Sequence, residues 1–431
     1  MGFDATMYRT YCEILRQELI PAMGCTEPIA IAYAAALAGQ QLGGEPEQIW
    51  AGLSGNIIKN VKSVVVPGTG GQRGIAAALA AGIVAGHPEK QLELLDGLTE
   101  EDAPKIGSFP ERCAIQVSHL DGEHIFDIQL TMARGADRVR VRIVDAHTNV
   151  VLIEKNGESI FARPTEKAAA EELLDRKALN VADIVRFAEE ADLSDLRSIL
   201  DRQLEMNLAI AEEGLSGSYG ANIGKVLLEQ GGDVRTRARA MAAAGSDARM
   251  NGCEMPVCIV SGSGNQGITA SVPLAVYAEH LGTERDQLLR ALIVSDLVTI
   301  HQKTGIGRLS AYCGAISAGC GCGAGIAWLH GGRYREIAHT VVNAVAILSG
   351  TICDGAKSSC AAKIAMAVEA GILGFEMFRQ GKQFLSGDGI VTKGVEHTIK
   401  NVGQLARIGM RETDREIMRI MTGQGEPSDG K

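Results

Sequence analysis

Aromatic residues make up only 4% of this 431-residue chain. That scarcity disfavours a large β-sandwich, and the abundant Gly and Ala point instead to closely packed helices. Long apolar runs are also missing: the longest strongly apolar stretch, 75–85, falls far short of the ~20 residues that span a bilayer. Basic blocks are absent. Lys and Arg number 42 against 52 Asp and Glu, and the net charge of −10 argues against nucleic acid or an anionic membrane as partner. No C-x-x-C pair occurs, so a zinc ribbon is not expected. Ten cysteines at irregular spacing do not form a small secreted disulfide framework. No charged segment followed by an apolar one opens the chain, so a reducing cytoplasm is the expected compartment.

What remains is a composition that is 46% hydrophobic with mean hydropathy +0.06, enough for a large core and two or three domains. Residues 8–20 carry Tyr8, Tyr11, Cys12, Leu15 and Leu19 on one helical stripe, ended by Pro21. Pro28 suits a first helical position, and an Ala-rich helix should run to about Gly43. Residues 50–66 read as extended, and a small-residue helix follows to about Ala85. Val139, Val141 and Ile143 alternate with Arg138, Arg140 and Arg142, and Asn156-Gly157 is a hairpin turn signal. From about residue 180 the pattern is mostly helical. The expected fold class is therefore α+β. Residues 1–175 would form an α+β domain with an antiparallel sheet from about 50–66 and 112–162, and 176–431 a predominantly α-helical domain.

The chemistry concentrates in cysteines. Cys313, Cys353 and Cys360 stand among Gly and Ala, which lets backbone and thiolates crowd around a bulky inorganic group. Three ligands rather than four would leave a coordination position open for a substrate. Cys353 and Cys360 would lie roughly 10 Å apart on a continuous helix, awkward for a single ion and easier for a cluster or across a loop. Cys320 and Cys322 compete with Cys313 as the upstream ligand. Cys12, Cys113, Cys253 and Cys258 read as core. Cys25, in Gly24-Cys25-Thr26-Glu27-Pro28, precedes a helix whose dipole favours its thiolate while Glu27 opposes it.

Gly262-Ser263-Gly264-Asn265-Gln266-Gly267 matches G-x-G-x-x-G, but the sequence after it stays helical rather than alternating as βαβ. Anion capture is the better use of this loop. Backbone N–H groups at Gly264 and Gly267, with Ser261, Ser263 and Asn265 as side-chain donors, would bind a substrate carboxylate. His301 and Lys303 follow an apolar segment and could reach the same site.

Taken together, Gly24-Cys25-Thr26-Glu27-Pro28, Lys59-Asn60, Pro67-Gly68, the 261–267 loop, His301-Gln302-Lys303, Ser310-Ala311-Tyr312-Cys313-Gly314 and Cys353-Asp354-Gly355-Ala356-Lys357 resemble the L-cysteine desulfidase family. The C-terminal half is more remotely similar to the α chain of iron–sulfur L-serine dehydratases. The resemblance implies a [4Fe–4S] cluster on three cysteines, with Cys313 taken as the first ligand beside Cys353 and Cys360. It also implies elimination of sulfide from L-cysteine to pyruvate and ammonia without pyridoxal phosphate, and Cys25 as the base. The 353–360 spacing is shorter than in the dehydratases. L-Serine dehydration is the rival within the same chemistry. An NAD-linked oxidoreductase using the glycine loop and an iron–sulfur or thiol sensor are the rivals outside it. The expected partner is a small amino acid; a homo-oligomer stays open.

Overall fold

The computed structural model describes residues 3–24, 26–120, 122, 124–164, 176–307 and 310–422. The first helix, Ala5–Glu18, starts where the Asp4 carboxylate accepts from the Thr6 and Met7 backbone N–H groups. Its apolar stripe does not pack on the N-terminal sheet. Tyr11, Ile14 and Leu15 join the core of the helical half, with the Tyr11 ring 5.2 Å from that of Phe187. The chain then runs through β1 (Pro21–Met23) into the helix Thr26–Leu42.

A six-stranded sheet carries β2 (Gln48–Ser54), β3 (Ala114–Leu120), β4 (Asp127–Arg134), β5 (Asp137–Val144), β6 (Val150–Lys155) and β7 (Glu158–Ala162), in the order β3-β2-β4-β5-β6-β7. Every pair is antiparallel except β2–β3, which is parallel, so the expected sheet is present as a mixed one. The alternation on β5 works as read. Val139, Val141 and Ile143 are buried in one core with Ile29, Ile31, Leu130 and Met132. On the opposite face Arg142 makes two hydrogen bonds to Asp127, at 2.7 and 3.1 Å. Asn156 and Gly157 take positive φ, as the predicted hairpin needs.

The extended reading of 50–66 holds only to Ser54. The chain then turns into a short helix, Gly55–Val61. Ile57, Ile58 and Val61 recur at helical spacing on its buried side, which leaves Asn56, Lys59 and Asn60 to face elsewhere.

The second half is helical apart from the three-residue strand β8 (Pro256–Cys258), which pairs antiparallel with β1. Its centre is the helix Gly314–Leu329, buried along almost its whole length. Small residues allow this. A Cβ on Gly319 would lie 2.2 Å from the Ala367 carbonyl oxygen, and one on Gly321 2.3 Å from that of Ser295. Neighbouring helices therefore touch backbone to backbone, which explains why so few aromatics are needed. Among the described residues, no helix is long and apolar enough to cross a membrane.

One buried carboxyl marks this core. Asp296, fully buried on the helix Arg285–Ile306, accepts from Gln203 Nε2 at 2.9 Å, and burial pushes it up to about 7. Asp296 Oδ2 receives no hydrogen bond, so nothing at that oxygen offsets the cost of burying the charged form. The folded chain holds a proton here while the unfolded chain, near its usual ~3.9, releases it. Stability from this group is thus complete below about pH 4 and declines as pH rises towards 7. Asp296→Asn keeps a donor and an acceptor in the same places. Urea midpoints at pH 5 and 8 should fall less in Asp296→Asn than in the parent; equal falls would mean that Asp296 is ionised throughout.

Candidate functional site

Four helices begin at one cavity of about 120 Å³. Thr26 and Glu27 open Thr26–Leu42; Ser263, Asn265 and Gln266 open Gly264–Leu281; Cys313 and Ala315 open Gly314–Leu329; Cys360 and Lys363 open Cys360–Arg379. Each directs the positive end of its dipole towards the lining.

Cys313, Cys353 and Cys360 all line this cavity. A two-way backbone tie sets the first two side by side. Cys353 N–H donates to the Ala311 carbonyl at 2.6 Å, and Cys313 N–H to that of Thr351 at 3.1 Å, around a Tyr312–Ile352 bridge. A loop, not a helix, spans the interval to Cys360, which opens its own helix. That loop rests on the N-terminal half: Gly355, at φ 94°, has no room for a side chain, since a Cβ would lie 2.1 Å from the Lys59 carbonyl oxygen. Burial pushes the Cys313 thiol up to about 12, with Cys353 adding to the shift, and burial also raises Cys360. Such thiols are poor nucleophiles by themselves and become ligands when a metal displaces their protons. Among the described residues, no three His, Cys, Asp or Glu sit close enough to share a single ion.

Cations complete the walls. Lys363 and Lys357 pair with Asp354 at 2.6 and 2.5 Å; burial alone would raise that carboxyl, but the two lysines hold it down to about 2. Lys59, 1% exposed, pairs with Asp414 at 2.6 Å, and Asn56 donates to the same carboxylate. Asn60 donates to Glu27 at 3.0 Å. Burial pushes Lys303 down to about 8, against the opposing influence of Cys353 and Cys313.

The 261–267 loop forms the remaining wall. Val260 and Ser263 exchange backbone hydrogen bonds around Ser261 and Gly262, whose φ values of 50° and 76° follow the type I′ pattern. Ser261 is not glycine, so this turn carries strain beside the cavity. Ser261, Ser263, Asn265 and Lys303 line the cavity together with the three cysteines.

Other predicted site residues stand elsewhere. Gly264 and Gly267 are packing glycines: a Cβ would lie 2.4 Å from Arg249 Nε in the first and 2.0 Å from the Cys258 carbonyl oxygen in the second. His301 is not on the lining, and its Nε2 is 2.7 Å from Glu396 Oε2. Cys320 and Cys322 are buried within their helix and off the lining, which leaves Cys313 as the upstream thiol of the cavity. Cys25 lies outside the described residues. The glycine loop follows a strand paired only with antiparallel β1, so the βαβ unit of a dinucleotide fold is not built there.

Sequence reasoning missed Arg249, Gln266 and Lys363 as lining residues. Lys363 sits one helical turn beyond Cys360, a spacing that could have flagged it. Nothing in the local pattern marks Arg249, at the end of an Ala-rich helix. Buried atoms without hydrogen-bond partners also cluster on this lining: Arg249 Nε, Gln266 Oε1, Asn56 Oδ1 and Tyr312 Oη. Polar groups left bare in this way fit a cavity made for a polar ligand.

The sequence profile of the serine dehydratase alpha chain matches residues 89–419. A UPF0597 protein of Desulfitobacterium hafniense is 56% identical over 97% of each chain. One from Lachnoclostridium phytofermentans is 48% identical over 96% of this chain and all of its own. A third, from Treponema denticola, is 44% identical over 98% of this chain and 99% of its own. With full-length relatives of this kind and a profile match spanning most of its residues, the chain belongs to the serine dehydratase alpha chain family.

Proposed function

We propose that the protein is an iron–sulfur-dependent lyase that eliminates sulfide from L-cysteine, giving pyruvate, ammonia and hydrogen sulfide. The observation that carries this reading is the meeting of three thiols from separate segments on one small cavity that Lys59, Arg249, Lys303 and Lys363 also line. A [4Fe–4S] cluster on Cys313, Cys353 and Cys360 would supply a Lewis-acidic iron that draws electron density from the departing sulfur.

The chain's own residues supply the rest. Helix N-termini and buried cations favour an anionic occupant, which an amino-acid carboxylate provides. Ser261, Ser263 and Asn265 offer donors on the same lining as the thiols. The cavity, of about 120 Å³, is of a size for a small amino acid, and its buried lysines and arginine act at short range on an occupant. Cys25, preceding Thr26 on that lining, takes the α-proton in this reading. The aminoacrylate released then hydrolyses to pyruvate and ammonia. L-Serine dehydration is the second reading, favoured by the name of the matched family. Pyruvate formation from L-cysteine and from L-serine, measured on anaerobically reconstituted protein, separates the two.

Two sets of variants test the roles. Cys313→Ser, Cys353→Ser and Cys360→Ser should each lose most iron while far-UV circular dichroism stays unchanged, because a core this large does not depend on one metal group. Full iron retention in all three would remove them as ligands. Cys25→Ser should keep its iron–sulfur absorption yet lose ~10²–10⁴-fold in activity, the usual worth of a general base. Exchange of the substrate α-proton with deuterated solvent should disappear with it. Loss of iron instead would make Cys25 a ligand and move the base to Glu27 or Lys303.

A further inference from the structure

The cavity wall carries one cation that this scheme leaves without a task. Arg249 closes the helix Val234–Met250, is 4% exposed and lines the cavity. Its Nη1 donates to Asn265 Oδ1 at 3.2 Å, and its buried Nε has no partner. Among the described residues it makes no ion pair, whereas Lys59 and Lys363 on the same lining are each matched by an aspartate. A guanidinium stays charged at any relevant pH, and a buried one without an anion is costly. Its counter-ion must come from the occupant of the cavity.

The surroundings favour a carboxylate. The helix Gly264–Leu281 begins beside Arg249 and adds first-turn N–H groups to the guanidinium fork. Asn265, in the first turn of that helix, orients the guanidinium. Gly264 leaves the room that Nε occupies, since a Cβ there would lie 2.4 Å from it. The cations acting on the buried Cys313 and Cys360 thiols are Lys363 and Lys357, not Arg249, so the wall of thiols has its own cations.

We propose that Arg249 binds the α-carboxylate of the substrate and thereby restricts the site to amino acids over simple aminothiols. This rests on the amino-acid reading of the cavity. Isothermal titration of the anaerobically reconstituted protein tests it with two probes. L-Alanine has the carboxylate and ammonium but no leaving group; cysteamine has the amine and thiol but no carboxylate. Arg249→Gln should weaken L-alanine binding and raise the L-cysteine KM by about 10²-fold, the effect of losing a charged hydrogen bond. Cysteamine affinity and iron content should stay as they were. Arg249→Lys should recover part of the affinity, because it restores the charge without the fork. Gly264→Ala should weaken L-alanine binding in the same direction with Arg249 still present, which guards against a misfolded arginine variant.

Unchanged L-alanine affinity in Arg249→Gln, or no L-alanine binding by the parent protein, overturns the assignment. Loss of iron with the arginine also overturns it, by making Arg249 a counter-ion of the metal group. If L-alanine binding depends on Arg249 while neither L-cysteine nor L-serine is turned over, the elimination reading falls and the carboxylate assignment stands.

Discussion

Charge balance in a narrow cleft governs this structure. Four helix N-termini and a set of buried cations line a cavity of about 120 Å³. Such a lining favours negative charge, from thiolates, from a bound inorganic group or from a carboxylate. The paired aspartates, Asp354 and Asp414, already neutralise part of it. They also tie together segments that are far apart in the chain, because Asp414 comes from the last described helix and Lys59 from the N-terminal half.

Assembly of such a cavity demands that backbones approach one another closely. Gly355 lets the cysteine loop rest on Lys59, and Gly24 packs against Pro67, where a Cβ would lie 2.4 Å from Cγ. The same economy holds in the helical core, where Gly319 and Gly321 let the central helix be surrounded on all sides. Small residues thus serve packing and chemistry at once. A larger side chain at Gly355 would push a wall of the cavity outward.

Much of the fold was legible. The β4–β7 meander followed from alternation and from one turn dipeptide, because a half-buried strand writes its faces into every second residue. The helix at 55–61 was not, since three apolar residues within seven fit an extended strand and a short helix alike. Nor could local periodicity say that the first helix packs against the distant helical half, as Tyr11 against Phe187 does.

The amino-acid sequence by itself determined the reactive groups: three thiols among small residues, a donor-rich glycine loop, and the lysines beside them. These are matters of residue type and short spacing, and they are carried by the chain in any conformation. Only the tertiary structure decided which of them meet. It joined Cys313 to Cys353 through a backbone bridge, left Cys320, Cys322 and His301 off the cavity lining, and set Arg249 against the bare backbone of Gly264. Arg249 shows the reason: its importance lies in burial without a counter-ion, and burial belongs to the packed chain and not to any stretch of it.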